Sequence, residues 1–244
     1  MNESREHGLS MVELLVALAL SSLLILGVTQ IYIDNRSSHM FHQGQSENIE
    51  NGRYALLILE RQLAKTGYRR SPDDSFEFAF PAATDSATGC QFKEGETINR
   101  VNSTTLCLRY QPRDDKELDC TGNTQNISGA LGAPYNSFNE SYVERLTVED
   151  EVLRCNGSEL TSGVSAIRVD FGVGRAGVRE VTQYVNTPNR PIRSLRYALL
   201  MASERGSRQG MNSKAYSDWH GNEPTDNRLY HTVSSSMTLR NLMP

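Results

Sequence analysis

The chain has 244 residues and a formal net charge of −4; 38% of it is hydrophobic, 22% charged and 7% aromatic. A mean hydropathy of −0.49 excludes a polytopic membrane protein, and a pI near 5.8 leaves no basic surplus for nucleic acid. At about 100–200 residues per domain, the length suits one globular domain with an appendage, or two small domains.

The appendage comes first. Residues 9–33 read LSMVELLVALALSSLLILGVTQIYI, with Glu13 as the one charged residue. As a helix these about 25 residues cover about 37 Å, enough to cross a bilayer core. The preceding MNESREHG sets Glu3 and Glu6 against Arg5, and Asp34, Asn35 and Arg36 follow the apolar run. A cleaved secretory signal carries a basic start and a small-residue site after its apolar stretch. The segment is therefore expected to stay with the mature protein. A carboxylate at mid-bilayer costs about 2.5–3.5 kcal/mol on insertion scales, which makes Glu13 a candidate functional residue. The plainer alternative places it at the helix end, reaching the interface.

The helix is expected to continue. No proline occurs between Met1 and Ser71, and Ile49, Gly52, Leu56, Leu59 and Leu63 recur at alternating spacings of three and four. That stripe predicts one helix of about 58 residues, stopped near Gly67 and Pro72. Two helices hinged near Asp34–Ser38 are the alternative, and Gly27, Gly44 and Gly52 each weaken a helix by about 1 kcal/mol relative to alanine.

Strands are predicted beyond it. Leu106, Leu108 and Tyr110 alternate with Cys107 and Arg109; Ile167, Val169 and Phe171 alternate with Arg168 and Asp170. Leu195, Tyr197, Leu199 and Met201 make a third run, and Val233, Met237 and Leu239 a fourth. Residues 143–149 and 151–155 predict a hairpin through Asp150. Alternation with one polar face implies antiparallel sheets packed on the apolar stripe of the helix. The fold class is α+β, a long N-terminal helix on an antiparallel β head. Residues 112–140, 172–191 and 202–227 are rich in Asn, Gly, Ser and charge, and read as loops open to partners.

Several motifs are weighed against ordinary alternatives. Gly172-Val173-Gly174-Arg175-Ala176-Gly177 matches G-x-G-x-x-G after a predicted strand. A dinucleotide site needs a helix next and an acid about 20 residues on. VREVTQYVNTP follows instead, so a glycine-rich hairpin turn is expected. His39 and His42 share a helix face without a carboxylate to complete a metal site, and read as a solvated face. Asp114, Asp115, Lys116, Glu117 and Asp119 lack the glycine and spacing of an EF-hand loop. No G-x-S-x-G context supports a nucleophile. No catalysis and no cofactor are expected.

Gly8-Leu9-Ser10-Met11-Val12-Glu13-Leu14 resembles the cleavage site of type IV prepilins and type II secretion pseudopilins. The resemblance implies cutting after Gly8, methylation of the new N-terminus on Leu9, and a fifth mature residue, Glu13, that meets a neighbour's α-amino group. Pairing two charges that are each costly in a dry core would set register. Glu50-Asn51-Gly52-Arg53-Tyr54-Ala55-Leu56, Leu59, Leu63 and Gly67-Tyr68 resemble the PilW branch of minor pilins, as does the close of the chain, Arg228, Val233 and Thr238-Leu239-Arg240-Asn241. The implied organisation is a leader over 1–8, a membrane and filament-core half-helix over 9–33, an amphipathic half-helix over 34–70, and a periplasmic β head over 71–244. The implied location is the inner membrane, single-pass, and then the pilus at the cell surface. The implied partners are other minor pilins, the major pilin, a prepilin peptidase, the inner-membrane assembly platform and a PilY-type tip adhesin. The role implied is priming of pilus assembly. A J-like pseudopilin of type II secretion and a tip adhesin or ligand-binding subunit are the alternatives.

Four cysteines, Cys90, Cys107, Cys120 and Cys155, lie outside the apolar segment with no C-x-x-C and no histidine at zinc-finger spacing. In an extracytoplasmic head they are expected to form disulfides. Three pairings are possible, and Cys90–Cys107 with Cys120–Cys155 is favoured because each closes a local loop.

Overall fold

A computed structural model describes residues 10–125, 131, 135–136, 138–206 and 213–244. Helix α1 runs unbroken over Met11–Lys65. At 1.5 Å per residue it is about 82 Å long. It passes straight through Asp34–Ser38, so the single-helix expectation holds and the hinged alternative does not. Ser10 starts it, and Thr66 and Gly67 end it: the Thr66 N–H turns back to the Leu63 carbonyl, and Gly67 takes φ +70.

The head begins with a short helix α2 (Phe76–Ala79) and three short strands: β1 (Ala83–Thr84), β2 (Gln91–Phe92) and β3 (Ile98–Arg100). Longer strands follow: β4 (Thr105–Tyr110), β5 (Tyr142–Glu149), β6 (Val152–Cys155), β7 (Ser158–Ser162) and β8 (Val164–Val173). Then come β9 (Gln183–Val185), β10 (Ile192–Gly206), helix α3 (Lys214–His220), β11 (Arg228–Thr238) and a closing 3-10 turn (Arg240–Leu242). One antiparallel sheet has the order β3-β4-β5-β6-β7, another the order β11-β10-β8-β9, and β1 and β2 form a separate pair.

The β5–β6 hairpin turns through Asp150 and Glu151, both at positive φ, and the β6–β7 hairpin through Asn156 and Gly157, also at positive φ. Paired left-handed residues are the geometry that two-residue hairpins need to match strand twist. The described residues of 112–140 hold no helix or strand, as expected, but the other two loop regions hold more structure than their composition implies: β8 reaches Val173 and β9 lies inside the second, and β10 and α3 occupy much of the third. Their polar residues serve exposed faces and caps; Ser213, for example, accepts a hydrogen bond from the Tyr216 N–H at the start of α3.

The core lies where α1 meets the sheets. Leu59, Leu63, Leu108, Leu146, Phe171, Leu195, Tyr197 and Leu199 form one continuous buried cluster. The helix seam is rotated from the expected stripe. Gly44, Asn48, Gly52, Ala55, Leu59, Gln62 and Leu63 are buried, whereas Ile49 and Leu56 stand at its margin. Small residues take the centre because the sheet comes close: a Cβ on Gly52 would lie 2.9 Å from Val233 Cγ1 and 3.3 Å from Met201 Cγ. Asn48 is tolerated there because its amide donates to the Leu229 carbonyl at 2.8 Å. Gly52→Ile is expected to destabilise the protein by about 1–3 kcal/mol through overpacking, although glycine is the poorer helix former. Urea unfolding of the detergent-solubilised chain checks this; an unchanged midpoint would show that the seam yields.

A second departure concerns β4. Both of its faces are buried, not one. Residues 76–99 cover the side that carries Cys107 and Arg109, and the Arg109 guanidinium donates to the carbonyls of Glu96, Pro81, Phe80 and Lys93 at 2.6–3.1 Å.

Candidate assembly surface

The first half of α1 has no partner within the described chain. Its apolar side chains over residues 11–33 are exposed all round, Met11 at 85% and Leu24 at 70%. The serines and the threonine in this stretch are satisfied locally: Ser21 and Thr29 donate to carbonyls four residues back, and Ser22 to one three residues back. A helix that hydrogen-bonds its own hydroxyls suits a medium without water. Its length and composition are sufficient to cross a membrane.

Glu13 sits in the first turn. Its Oε2 accepts the Ser10 N–H at 3.1 Å, and Ser10 Oγ accepts the Val12 N–H at 3.3 Å, a reciprocal cap that supplies the orphan donors of a helix start. A carboxylate in this position also favours the positive end of the helix dipole. Gly8 and Leu9 lie outside the described residues, so the cleavage and methylation expectation falls there.

The structure brings Cys90 to Cys107 and Cys120 to Cys155 as disulfides, with Cα–Cα distances of 5.9 and 6.1 Å. Cys120, Cys155 and Glu144 crowd within 4.8 Å of one another, but the two sulfurs are bonded to each other and offer no thiolate to a metal. His39 and His42 are exposed on α1. Asp119 organises its own loop, accepting from the Thr121 and Asn123 N–H groups and from Gln125. Gly172 ends in β8 and Gly174 opens the β8–β9 hairpin; a Cβ on Gly174 would meet the Glu180 carbonyl oxygen at 2.1 Å. Close approach of the chain to itself, not of a phosphate, explains that glycine.

Sequence reasoning missed the cluster that locks the end of α1 to the head. Glu144 Oε1 accepts from the Tyr110 hydroxyl at 2.9 Å and the Cys120 N–H at 2.9 Å, and lies 3.5 Å from the Lys65 ammonium in the last turn of α1. The signal was a charge in an apolar phase: Glu144 shares its strand face with Tyr142, Leu146 and Val148. Asn241 completes the junction, its amide donating to the Ala64 and Thr66 carbonyls at 3.1 Å. Those are the unsatisfied acceptors of a helix end, which gives the closing Thr-Leu-Arg-Asn segment a physical task.

Burial raises the Glu144 carboxyl above the usual carboxylate range, against the pull of Lys65, Tyr110 and the Cys120 N–H. Burial and the adjacent Glu144 also raise the Tyr110 hydroxyl, which keeps its proton and donates. A carboxyl raised in the folded state contributes stability that is complete below its unfolded value and is lost as pH rises through its folded value. The wild-type chain is therefore expected to lose stability with rising pH across that window. Glu144→Gln should flatten this slope. Denaturation midpoints between about pH 4 and 8 check it, and parallel curves for the two proteins would contradict it.

Two family descriptions match this chain. "Prokaryotic N-terminal methylation motif" matches residues 4–29, and "Type IV Pilus-assembly protein W" matches residues 142–241. No curated protein matches it. Among solved structures, a type IV-like pilin from Thermus thermophilus is 13% identical, with a TM-score of 0.42 over 83% of this chain and 98% of that one. An N-methylation motif leading into a long apolar helix, ahead of an antiparallel β head, defines a pilin-like protein. With the second match running from β5 to Asn241, the two family matches together support a type IV minor pilin.

Proposed function

We propose that the chain helps to prime type IV pilus assembly and is incorporated into the filament or at its tip, as a structural subunit that catalyses no reaction. One observation carries this reading. Half of a continuous helix is docked on the head, while residues 11–33 of the same helix present a bare apolar surface. Such a surface is covered first by the inner membrane and then by neighbouring helices, with Ala17, Ala19, Ser21, Ser22 and Gly27 permitting close approach. The leader over 1–8 is removed after Gly8 and Leu9 is methylated. The head over 71–244 faces the periplasm. Glu13 exchanges its intrachain cap for a neighbour's α-amino group and sets the axial register. Other minor pilins, the major pilin, a prepilin peptidase, the assembly platform and a PilY-type tip adhesin are the partners. The pilus-assembly match over the head supports a pilus over a secretion pseudopilus.

Glu13→Ala is expected to leave the head folded and the leader removed, but to reduce incorporation into surface filaments by about tenfold or more. Intact mass of the membrane-extracted protein reports processing, as loss of Met1–Gly8 plus one methyl. Filament counts report incorporation. An unprocessed wild-type N-terminus would overturn the pilin mechanism; normal piliation by the Glu13 variant would overturn the register role alone.

A further inference from the structure

The edges of the two main sheets are unequal. β3 and β9 have three residues each, and β7 has five beside a register shift, but β11 has eleven. The Leu239 N–H donates to the Arg193 carbonyl, and the register continues through Met237–Leu195, Ser235–Tyr197 and Val233–Leu199. Odd-numbered residues of β11 therefore bond to β10. The N–H and C=O groups of Thr232, Ser234, Ser236 and Thr238 point away from the sheet, and among the described residues no backbone hydrogen bond reaches them. Natural edges are usually blunted by charge, proline, bulges or brevity. Residues 232–238, Thr-Val-Ser-Ser-Ser-Met-Thr, carry neither charge nor proline. On the inner face the apolar layer is unfinished: Val233, Met237 and Leu56 are only partly buried against the core.

We propose that β11 accepts an extended strand from a different protein of the same assembly, with apolar side chains on alternate residues facing Val233 and Met237 and small polar ones facing Ser234 and Ser236. This rests on the reading of residues 11–33 as the membrane anchor. A second copy of this chain does not fit. Gly44 lies against Leu229 and Gly52 against Val233, so eight residues of helix, about 12 Å, track four residues of strand, about 13 Å. Helix α1 and β11 thus run side by side in the same direction. Antiparallel pairing of two β11 edges would reverse one α1, and one membrane cannot hold both anchors. Parallel pairing about an axis along the strand would flip one sheet, setting its serine face beside the apolar layer of the other. A heterologous strand meets neither obstacle, and strand addition at a free edge is an established mode of peptide recognition.

The test places a benzophenone side chain at Ser234, Ser236 or Thr238 of the full chain in the piliated host, and maps the cross-linked peptides. The expected result is one segment of one other protein, its contact point moving by two residues for each step of two along β11. Cross-links to a second copy, or scattered cross-links, overturn the proposal. Proline is tolerated at an edge position whose N–H faces solvent, so Ser236→Pro is expected to keep the melting temperature, abolish the cross-link from Ser234 and lower surface piliation by about tenfold. Ser236→Lys provides the same block if the proline variant fails to fold. Deleting the gene separates the two readings. Filaments that survive deletion count against the priming role. Filaments lost on deletion but retained, with the cross-link, in the Ser236 variants count against strand addition.

Discussion

Arg109→Met is expected to cost the head about 3–5 kcal/mol, from two buried carbonyls left without a donor at about 1–3 kcal/mol each. The guanidinium is 1% exposed and lies over the rings of Phe80 and Phe92 at 5.4 and 4.7 Å. Burial lowers its pKa to about 10, opposed by Glu96, so it stays charged at neutral pH. Its donors hold four main-chain carbonyls from three stretches of residues 76–99 that have little regular structure of their own. Methionine fills the volume and supplies no donor, so the Pro81 and Glu96 carbonyls lose their partner in a site closed to water, while those of Phe80 and Lys93 keep the Gly95 and Glu96 N–H groups. Since domains are stable by about 5–15 kcal/mol in total, the loss should be visible as a much lower melting temperature of the detergent-solubilised chain. Arg109→Lys separates charge from shape: it keeps the cation but lacks the planar fork, and is expected to recover less than half of the loss. Full recovery by lysine would show that charge alone holds the segment.

The disulfides are the other large term. They close loops with separations of 17 and 35 residues. On the chain-entropy account the first contributes about 3 kcal/mol and the second about 4 kcal/mol. Serine at Cys120 and Cys155 together is expected to lower stability more than serine at Cys90 and Cys107. The second bridge fastens the loop whose Cys120 N–H donates to Glu144, so losing it also loosens the lock on α1. Denaturant titration of the two double variants ranks them. The reverse order, or equal losses, would show that native contacts rather than loop closure set the values.

How much of this was legible in the sequence depends on what periodicity can report. The apolar run, the proline-free continuation and the alternation in Leu106–Leu108–Tyr110 and Leu195–Tyr197–Leu199 lead to α1, β4 and β10, because each is long enough to show its period. The Asn156–Gly157 turn is a hairpin signal, but the strand after it, β7, is Ser-Glu-Leu-Thr-Ser and carries no apolar alternation to report it. Alternation gives the phase of a strand but not the number of layers that cover it. Alternation therefore predicts a solvent-facing Arg109, whereas a segment whose own strands have two or three residues buries it. Glu144 sat in the apolar phase of β5 and needed Lys65 and Tyr110, 79 and 34 residues away, to explain it. The helix seam runs through Asn48 and Ala55 because the sheet approaches too closely for Ile49 and Leu56, a distance no single segment encodes.

The unbroken α1 makes the head a hand on a stiff shaft. With no joint at Asp34–Ser38, the azimuth of the head is set by the phase of the helix below it. One residue inserted between the anchor and the docked half would lift the head by about 1.5 Å and swing it by about 100° around the axis. Its outward surfaces would then point at a different neighbour while every contact inside the subunit stayed as it was. Selection on the length of this segment is thus selection on which way the subunit faces.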